Sequence, residues 1–415
     1  MPNKIITSKI KNLLFLLLFS IIFFSAPLDR AYFPTIKSSS IYMFLTLPAL
    51  SVLMVILLLK IKHLHINYFY YLLFFYLLVS IVSVLFFPHE IHTSKPFIRL
   101  LLLIFSIFII EQSLKRYWNV NIQNNFIYIS FFLFFILIFA IFLDYFNFTN
   151  FVKIGTTLTN PGFFGFFGGD NTGSYYIAFL MPFIFYNKSY LYKILPEYII
   201  DFLLLLFYLL GFIAIVMTGC RGASLLYIVS GFFLIKYRYL ILSALIIGII
   251  LSIYDFNLKG IGPIEYSINR FLIGTDILFY GKSELGVDTS LNIRLERMLI
   301  AWEYFTKYPL LGNGFHLFVK DQHSIHNVYI SIFVELGLIG GITFILINFI
   351  VFYNLFKNRY VDNTNFYKIL FCSCIAANGL FFFEGGYQPK LFWLSIVPFS
   401  IYISSFSKSV NRKKS

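Results

Sequence analysis

Charged residues are scarce in this sequence, and their scarcity decides its broad class. They make up 12% of the 415 residues, whereas 59% are hydrophobic and 21% are aromatic. A soluble globular domain has about 25% charged residues, so the composition excludes that class. It favours a protein with many membrane spans, for which the surrounding lipids are the principal partner.

Cysteine is also scarce. The three cysteines, Cys220, Cys372 and Cys374, lie in or beside apolar segments and form no CxxC pair. The histidines show no cluster at the spacing of zinc ligands. We therefore expect no disulfide framework, no metal site and no cofactor.

Apolar segments long enough to cross a bilayer recur along the whole chain. A transmembrane helix needs about 20 mostly apolar residues, and roughly twelve candidates are separated by short polar connectors. They lie near residues 12–28, 41–60, 68–87, 97–111, 126–146, 172–187, 199–217, 222–235, 239–254, 327–356, 366–384 and 390–406. The sequence therefore predicts an all-α integral membrane protein with about twelve transmembrane helices.

The net charge of +14 comes from basic residues that gather at alternate connectors. This distribution is typical of membrane orientation by the positive-inside rule, so we expect no nucleic-acid partner. The basic connectors contain Lys60 and Lys62, Lys115 and Arg116, Lys188 and Lys193, Lys236 and Arg238, Lys357 and Arg359, and the tail residues Arg412, Lys413 and Lys414. They predict that both termini are cytoplasmic and that segments 148–173 and 255–325 lie outside.

The external loop 255–325 contains a stretch with helical periodicity, "LNIRLERMLIAWEYFTKYPLLGNG". Asn292 is positioned to cap its start, and Pro309 and Gly312 are positioned to end it. Its apolar residues recur at helical spacing: Leu295, Met298, Leu299, Trp302 and Phe305. The pattern favours an amphipathic helix that lies on the membrane face.

Three arginines stand out against this apolar background. Arg221, in "TGCRGASLLY", lies where one predicted span ends and the next begins. An arginine at membrane depth costs at least about 2.5 kcal/mol on insertion scales, so it is either an interfacial anchor or a functional residue. Arg294 and Arg297 lie opposite the apolar face of the amphipathic helix, where a solvated face is the simpler interpretation. Arg297 can also pair with Glu296 or Glu303.

The stretch "HSIHNVYISIFVELGLIGG" places polar residues directly against an apolar span. Asn327 is typical of a helix cap, whereas His326 alone is a weak signal of function. Glu335 lies about two turns into the span, where a carboxylate must face the bundle interior or take a proton. We expect the glycines that follow to allow close approach of a neighbouring helix. They are Gly337, Gly340 and Gly341.

Three stretches in this order resemble the O-antigen ligase and polymerase superfamily of bacterial surface-polysaccharide assembly. They are "TGCRGASLLYIVSG", "AWEYFTKYPLLGNGF" with an arginine ahead of it, and "HNVYISIFVELGLIGGITF". The signature of the ligases fits His326 and Asn327, followed after VYISIFVEL by Gly337 and Gly340. The resemblance divides the chain into N-terminal membrane helices (1–210), a ligase-like core with its external loop (211–356), and C-terminal helices with a basic tail (357–415).

The resemblance implies a GT-C-like, metal-independent glycosyltransferase in the bacterial inner membrane, with its active site facing the periplasm. The donor would be a saccharide on undecaprenyl diphosphate, and the acceptor would be lipid A-core for a ligase or a carrier-linked glycan for a polymerase. We favour the ligase slightly because its signature is complete. A polysaccharide-assembly complex is a further expected partner.

The resemblance also implies roles for particular residues. Arg221 and Arg294 match arginines that hold the donor diphosphate, and His326 matches an essential histidine that either activates or positions the acceptor. Arg297 is an alternative to Arg294, and we expect Arg297, Asn327 and His323 to take part in substrate binding. His316 is a further histidine able to share the work of His326.

Two other classes of function compete with the enzyme. A transporter or flippase of lipid-linked sugars would need charged or broken helices near the midplane of both halves. Its candidate acids are Asp144, Asp201, Glu335 and Glu384, but the two halves show no repeat. A noncatalytic scaffold of the assembly complex would not need two arginines and a histidine in this pattern.

Overall fold

A computed structural model describes the fold of residues 68–86, 120–145, 172–186, 188–218, 220–235, 289–314, 325, 327–359 and 366–383, together with residue 241 and isolated positions between 14 and 112. Every regular secondary-structure element in these described ranges is a helix. The α-helices are α1 (Tyr68–Phe86), α2 (Val120–Tyr145), α3 (Thr172–Leu180), α4 (Lys188–Leu191), α5 (Glu197–Met217), α6 (Arg221–Leu234), α7 (Thr289–Lys307), α8 (Val328–Asn358) and α9 (Phe366–Phe383), and a 3₁₀-helix, Met181–Phe185, follows α3.

Four described helices are long and apolar enough to cross a membrane. Their apolar spans are Phe69–Phe86, Gln123–Asp144, Glu197–Met217 and Val328–Asn358. Shorter apolar helices cover Gly173–Phe185, Gly222–Leu234 and Phe366–Gly379. These seven segments coincide with predicted spans, which confirms the all-α membrane class. The other predicted spans, near 12–28, 41–60, 97–111, 239–254 and 390–406, lie largely outside the described residues, so the count of twelve stays a prediction.

Helices α5 and α6 are joined by a reciprocal contact between tyrosine and glycine. The rings of Tyr208 and Tyr227 stack with centroids 4.8 Å apart, and the Tyr227 hydroxyl donates to the Tyr208 carbonyl at 2.8 Å. Each ring lies against a glycine of the opposite helix: a Cβ at Gly211 would lie 2.3 Å from the Tyr227 hydroxyl oxygen, and a Cβ at Gly231 would lie 2.7 Å from the Tyr208 hydroxyl oxygen. Only glycine leaves room for this close packing.

Helix α9 lies near the centre of the described bundle, where it packs against α6, α8 and α3. The Ser230 hydroxyl of α6 donates to the Cys372 carbonyl of α9 at 3.2 Å. A Cβ at Gly379 would lie 1.9 Å from a methyl carbon of Leu226, so α6 and α9 also meet at a glycine. Two of the elements that the sequence analysis singled out, α6 and α8, are therefore held against one common helix.

Asp201, one of the acids considered for a transporter, is satisfied within a local ion pair. Its carboxylate lies 2.5 Å from the Lys188 ammonium and accepts a hydrogen bond from the Tyr192 hydroxyl at 2.6 Å. The Asp201 side chain is almost fully buried, whereas Lys188 keeps partial access to solvent. Because a buried carboxylate is costly without partners, this pairing accounts for Asp201 as a link between α4 and α5.

We expect the Gly211→Ala substitution to lower the free energy of unfolding by about 1–3 kcal/mol, because the added methyl group overlaps the Tyr227 side chain. Adding Tyr227→Phe should recover part of this loss, since it removes the atom that the methyl group meets first. Thermal unfolding in detergent measures both effects. Leu206→Ala, on the exposed face of α5, is the control. Equal losses for Gly211→Ala and Leu206→Ala would contradict the packing argument.

Candidate functional site

The chain turns sharply between α5 and α6, and Arg221 is the first residue of α6. The Thr218 hydroxyl organises this turn: it donates to the Ile215 carbonyl at 2.6 Å and accepts from the Cys220 backbone N–H at 3.3 Å. The Ser174 hydroxyl of α3 lies 2.6 Å from it. The predicted position of Arg221 at a junction of two apolar helices is thus confirmed. Its backbone lies at a helix N-terminus, which favours anions.

Arg294 and Arg297 share a face of α7 with residues that pack against the protein. Positions 294, 297, 301 and 304 share one face because their spacings follow the helical period. Ala301 is fully buried on this face, and Tyr304 packs beside it. Arg294 and Arg297 are both partly buried, whereas Glu296 and Glu303 are exposed. The two arginines thus share a face with packed residues while keeping partial access to solvent, so the interpretation as a solvated face and the binding role both stay predictions.

Other positions on the surface of α7 carry exposed apolar residues, as expected for an amphipathic helix. Leu299 and Trp302 are 69% and 64% exposed, and Met298 is also exposed. The helix begins at Thr289, so the prediction that Asn292 caps its start is wrong. The helix ends at Lys307, just before Pro309, as predicted.

The buried stripe of α7 faces the first turns of α8. Ala301 packs with Ile325 and Val334 in a small core, to which Ile330 and Tyr304 also contribute. His326 and His323 lie outside the described residues, as does His316. The two neighbours of His326 in sequence are nonetheless described, and both are buried. The arginine-bearing helix therefore packs directly against the segment that carries the signature.

Asn327 caps α8, as its sequence context indicated. Its side-chain Oδ1 accepts a hydrogen bond from the Ile330 backbone N–H at 3.1 Å. The Ser331 hydroxyl donates to the Asn327 carbonyl at 3.0 Å, which further stabilises the first turn. The side chain is 9% exposed. The capping role is confirmed, and a role in substrate binding stays a prediction.

Helix α8 is broken at Gly337, where φ is +67° and ψ is −167°. The segment Tyr308–Gly314, which follows α7, inserts at this break, and we call it the insertion loop. Its carbonyls at Pro309 and Leu310 accept from the backbone N–H groups of Leu338 and Ile339, at 2.8 and 3.3 Å. The break therefore leaves these two N–H groups bonded to another segment instead of to their own helix.

The hydrogen bonds also run in the opposite direction. The backbone N–H groups of Asn313 and Gly314 donate to the carbonyls of Val334 and Glu335, at 2.9 and 3.1 Å. The Ser83 hydroxyl of α1 donates to the same Glu335 carbonyl at 3.2 Å. Helices α1 and α7 are thus both attached to α8 at the break.

Two glycines with positive φ allow the insertion loop to approach this closely. A Cβ at Gly312 would lie 2.3 Å from the Glu335 carbonyl oxygen, and one at Gly337 would lie 2.2 Å from the Leu310 carbonyl oxygen. The expected close approach is thus made by a loop at Gly337, not by a neighbouring helix. Gly340 and Gly341 differ from the expectation as well, because their nearest atoms belong to Leu336 and Phe333 of α8 itself.

Asn313 is a site residue that the sequence analysis missed. Its side-chain amide donates to the Tyr304 carbonyl of α7 at 2.7 Å and to the Val334 carbonyl of α8 at 3.1 Å. The residue is 6% exposed. Its position between Gly312 and Gly314 is the local signal for a tight loop at this point.

Glu335 faces the interior of the bundle, as predicted, and is 2% exposed. It lies beside α1, where the Tyr76 hydroxyl is buried without a hydrogen-bond partner among the described residues. Among all the residues that the structure describes, no group of three or more histidine, cysteine, aspartate or glutamate side chains is arranged to hold a metal ion.

Comparison with known families supports the motif analysis. Residues 206–345, about a third of the chain, match the family model described as O-antigen ligase. The match confirms the resemblance to the superfamily of O-antigen ligases and polymerases, which are glycosyltransferase-like membrane enzymes that act on lipid-linked glycans. No curated protein matches the chain.

We expect Gly337→Ala to destabilise the protein by about 2–4 kcal/mol, because a side chain here is strained at positive φ and also overlaps a backbone carbonyl. Gly341→Ala is the matched control: its φ is not positive, and the three atoms nearest to the added methyl group belong to the Phe333 side chain rather than to backbone. Thermal unfolding in detergent compares the two variants. A Gly341→Ala loss as large as that of Gly337→Ala would contradict the special role of the break.

Proposed function

We propose that the protein is a membrane glycosyltransferase that transfers a saccharide from undecaprenyl diphosphate to an acceptor sugar, with an O-antigen ligase as the favoured form. The observation that carries this proposal is the O-antigen ligase match over residues 206–345. That segment contains Arg221, Arg294 and His326 together. A bacterial inner membrane, cytoplasmic termini and a site that faces the periplasm are parts of the same proposal.

The arginines would neutralise the leaving diphosphate. As the glycosidic bond between the sugar and the diphosphate breaks, negative charge accumulates on the phosphate oxygens. A guanidinium group binds such oxygens with two parallel hydrogen bonds and needs no metal ion. The position of Arg221 at a helix N-terminus and the partly buried position of Arg294 support this role, because electrostatic stabilisation is stronger where water is partly excluded.

His326 would accept the proton of the acceptor hydroxyl. The acceptor hydroxyl must lose its proton as it attacks the sugar, and a neutral histidine is suited to accept that proton near pH 7. Asn327 supports this assignment indirectly: its cap fixes the start of α8 immediately after His326. A purely positioning role for His326, toward the acceptor or the phosphate, is the alternative within the same mechanism.

A transporter of lipid-linked sugars is less well supported. Asp201 is engaged in an ion pair with Lys188, so it is not available as a coupling site. The broken helix α8 does resemble the discontinuous helices of transporters. The backbone N–H groups that the break releases, however, form hydrogen bonds with the insertion loop. An enzyme and a transporter differ in proteoliposomes, where only the enzyme consumes carrier-linked donor without a cytosolic sugar nucleotide.

We expect Arg294→Lys and His326→Ala to lose most transfer activity in such proteoliposomes at unchanged protein level. An ammonium cannot reproduce the paired contacts of a guanidinium, and loss of a general base costs about a hundredfold to ten-thousandfold in rate. Glu296→Gln, on the exposed side of α7, is the control that should stay active. Arg221→Lys should behave like Arg294→Lys, whereas His323→Ala should be milder.

Three results would change this assignment. Near-normal transfer by Arg294→Lys together with a large loss for Arg297→Lys would move the phosphate contact one turn along α7. A fully active His326→Ala protein would contradict the catalytic role of that histidine. A His326→Ala protein that fails to accumulate would support a structural role.

Deletion of the gene separates ligase from polymerase. Loss of a ligase should leave carrier-linked polymer and a bare lipid A-core, because the final transfer is blocked. Loss of a polymerase should instead leave the core capped by a single repeat unit, because ligation continues. Gel analysis of lipopolysaccharide distinguishes the two patterns, and an unchanged pattern would contradict both.

A further inference from the structure

The exposure of helix α8 differs on the two sides of the break. No residue from Val328 to Gly337 is exposed, because α1, α7 and the insertion loop cover this part. Beyond the break, one side of the helix exposes large apolar residues at helical spacing, which we call the apolar band. They are Leu338, Ile339, Ile342, Ile345, Leu346, Phe349, Tyr353 and Phe356. The band therefore begins at the residue that follows Gly337.

The length of the apolar band matches the thickness of a bilayer core. At about 1.5 Å per residue the segment from Leu338 to Phe356 spans about 27 Å, close to the roughly 30 Å of hydrocarbon. Lys357 and Arg359 follow directly at one end. The Arg359 guanidinium lies 3.5 Å from the Phe356 ring centroid, as expected for a cation at the edge of the membrane. The other end of the hydrocarbon therefore falls at the break.

Helix α1 supports the same boundary. It exposes apolar residues from Tyr71 to its final residue, Phe86, and its Ser83 bonds to α8 at Glu335. The end of α1 and the break in α8 thus lie at similar depth, although the two helices are far apart in sequence.

The insertion loop and α7 extend the exposed apolar surface beyond this boundary. The Leu310 carbonyl accepts from the Ile339 N–H, so Leu310 lies at the level where the apolar band begins. Leu310 is 61% exposed, and the neighbouring Leu311 and Tyr308 are exposed as well. Together with Met298, Leu299 and Trp302 of α7, these residues form a surface that we call the shoulder.

We infer that Gly337 marks one boundary of the hydrocarbon core and that the shoulder inserts into the lipid leaflet there, at the junction of headgroups and acyl chains. Continuity with the apolar band identifies lipid as the occupant, rather than a second copy or another protein. The composition agrees, because tryptophan and tyrosine are enriched at this level of a bilayer. The start of α8, at Asn327, then lies about 15 Å above the hydrocarbon.

Fluorescence quenching by brominated lipids tests this placement in the full chain, reconstituted in vesicles. Trp118→Phe and Trp393→Phe leave Trp302 as the single tryptophan. Its emission should be shifted to the blue and quenched more by bromine near the headgroup end of the acyl chain than by bromine at the chain end. The matched control is a protein without native tryptophan that carries Glu303→Trp, on the exposed polar side of α7, which should be red-shifted and little quenched.

Two further variants without native tryptophan test the boundary itself. Leu338→Trp should show the shallow quenching pattern of Trp302, and Ile339→Trp serves instead if that variant does not accumulate. Phe349→Trp lies about 16 Å farther along α8, near the bilayer centre, so bromine at the chain end should quench it best. Equal depth for positions 338 and 349 would contradict the boundary at Gly337.

Two outcomes at Trp302 would overturn the lipid assignment, and neither depends on catalytic activity. A tryptophan that is quenched by aqueous acrylamide but not by brominated lipid would place the shoulder in water. Protection from both quenchers would mean that protein covers the shoulder. Either result would leave the proposed glycosyl transfer untouched, since the assay measures only position relative to lipid.

Discussion

The described structure depends on one set of hydrogen bonds, those between the insertion loop and the broken backbone of α8. A helix interrupted near or within a membrane exposes polar N–H and C=O groups, and each costs several kcal/mol when no partner is available. Here Leu338 and Ile339 donate to Pro309 and Leu310, and Asn313 and Gly314 donate in return. The break is therefore stable only while the loop is in place.

This mutual bonding has consequences for the candidate site. The insertion loop directly follows α7, so its attachment to α8 also fixes the helix that carries Arg294 and Arg297. Asn313 adds a second connection, because one side-chain amide joins carbonyls of both helices. The C-terminal half of α7 and the start of α8 are thus held together at two places: by the small core around Ala301 and by the break.

The buried acidic residues and the arginines of α7 differ in the partners that the structure gives them. Asp201 is neutralised by Lys188, whereas Glu335 is attached to α1 and the insertion loop through its backbone carbonyl. The arginines are different, because Arg294 and Arg297 are partly buried beside the segment that matches the ligase signature.

Local sequence patterns determined those features that depend on local physics. Hydrophobic runs predicted the helices that are long and apolar enough to cross a membrane, because a crossing of the hydrocarbon needs about 20 apolar residues. The Asn327 cap and the junction before Arg221 also followed from neighbouring residues. Asn292 shows the limit of that logic, since a residue type that often caps helices lies inside α7, which begins at Thr289.

Tertiary structure alone decided what happens at Gly337. A glycine in a helical pattern is compatible with helix packing or with a break, and the choice depends on whether a distant segment supplies hydrogen bonds. The partners of this break lie at Ser83 and in Tyr308–Gly314, so no local window contains them. The role of Asn313 was hidden for the same reason: its two acceptors become neighbours only after α7 and α8 have packed.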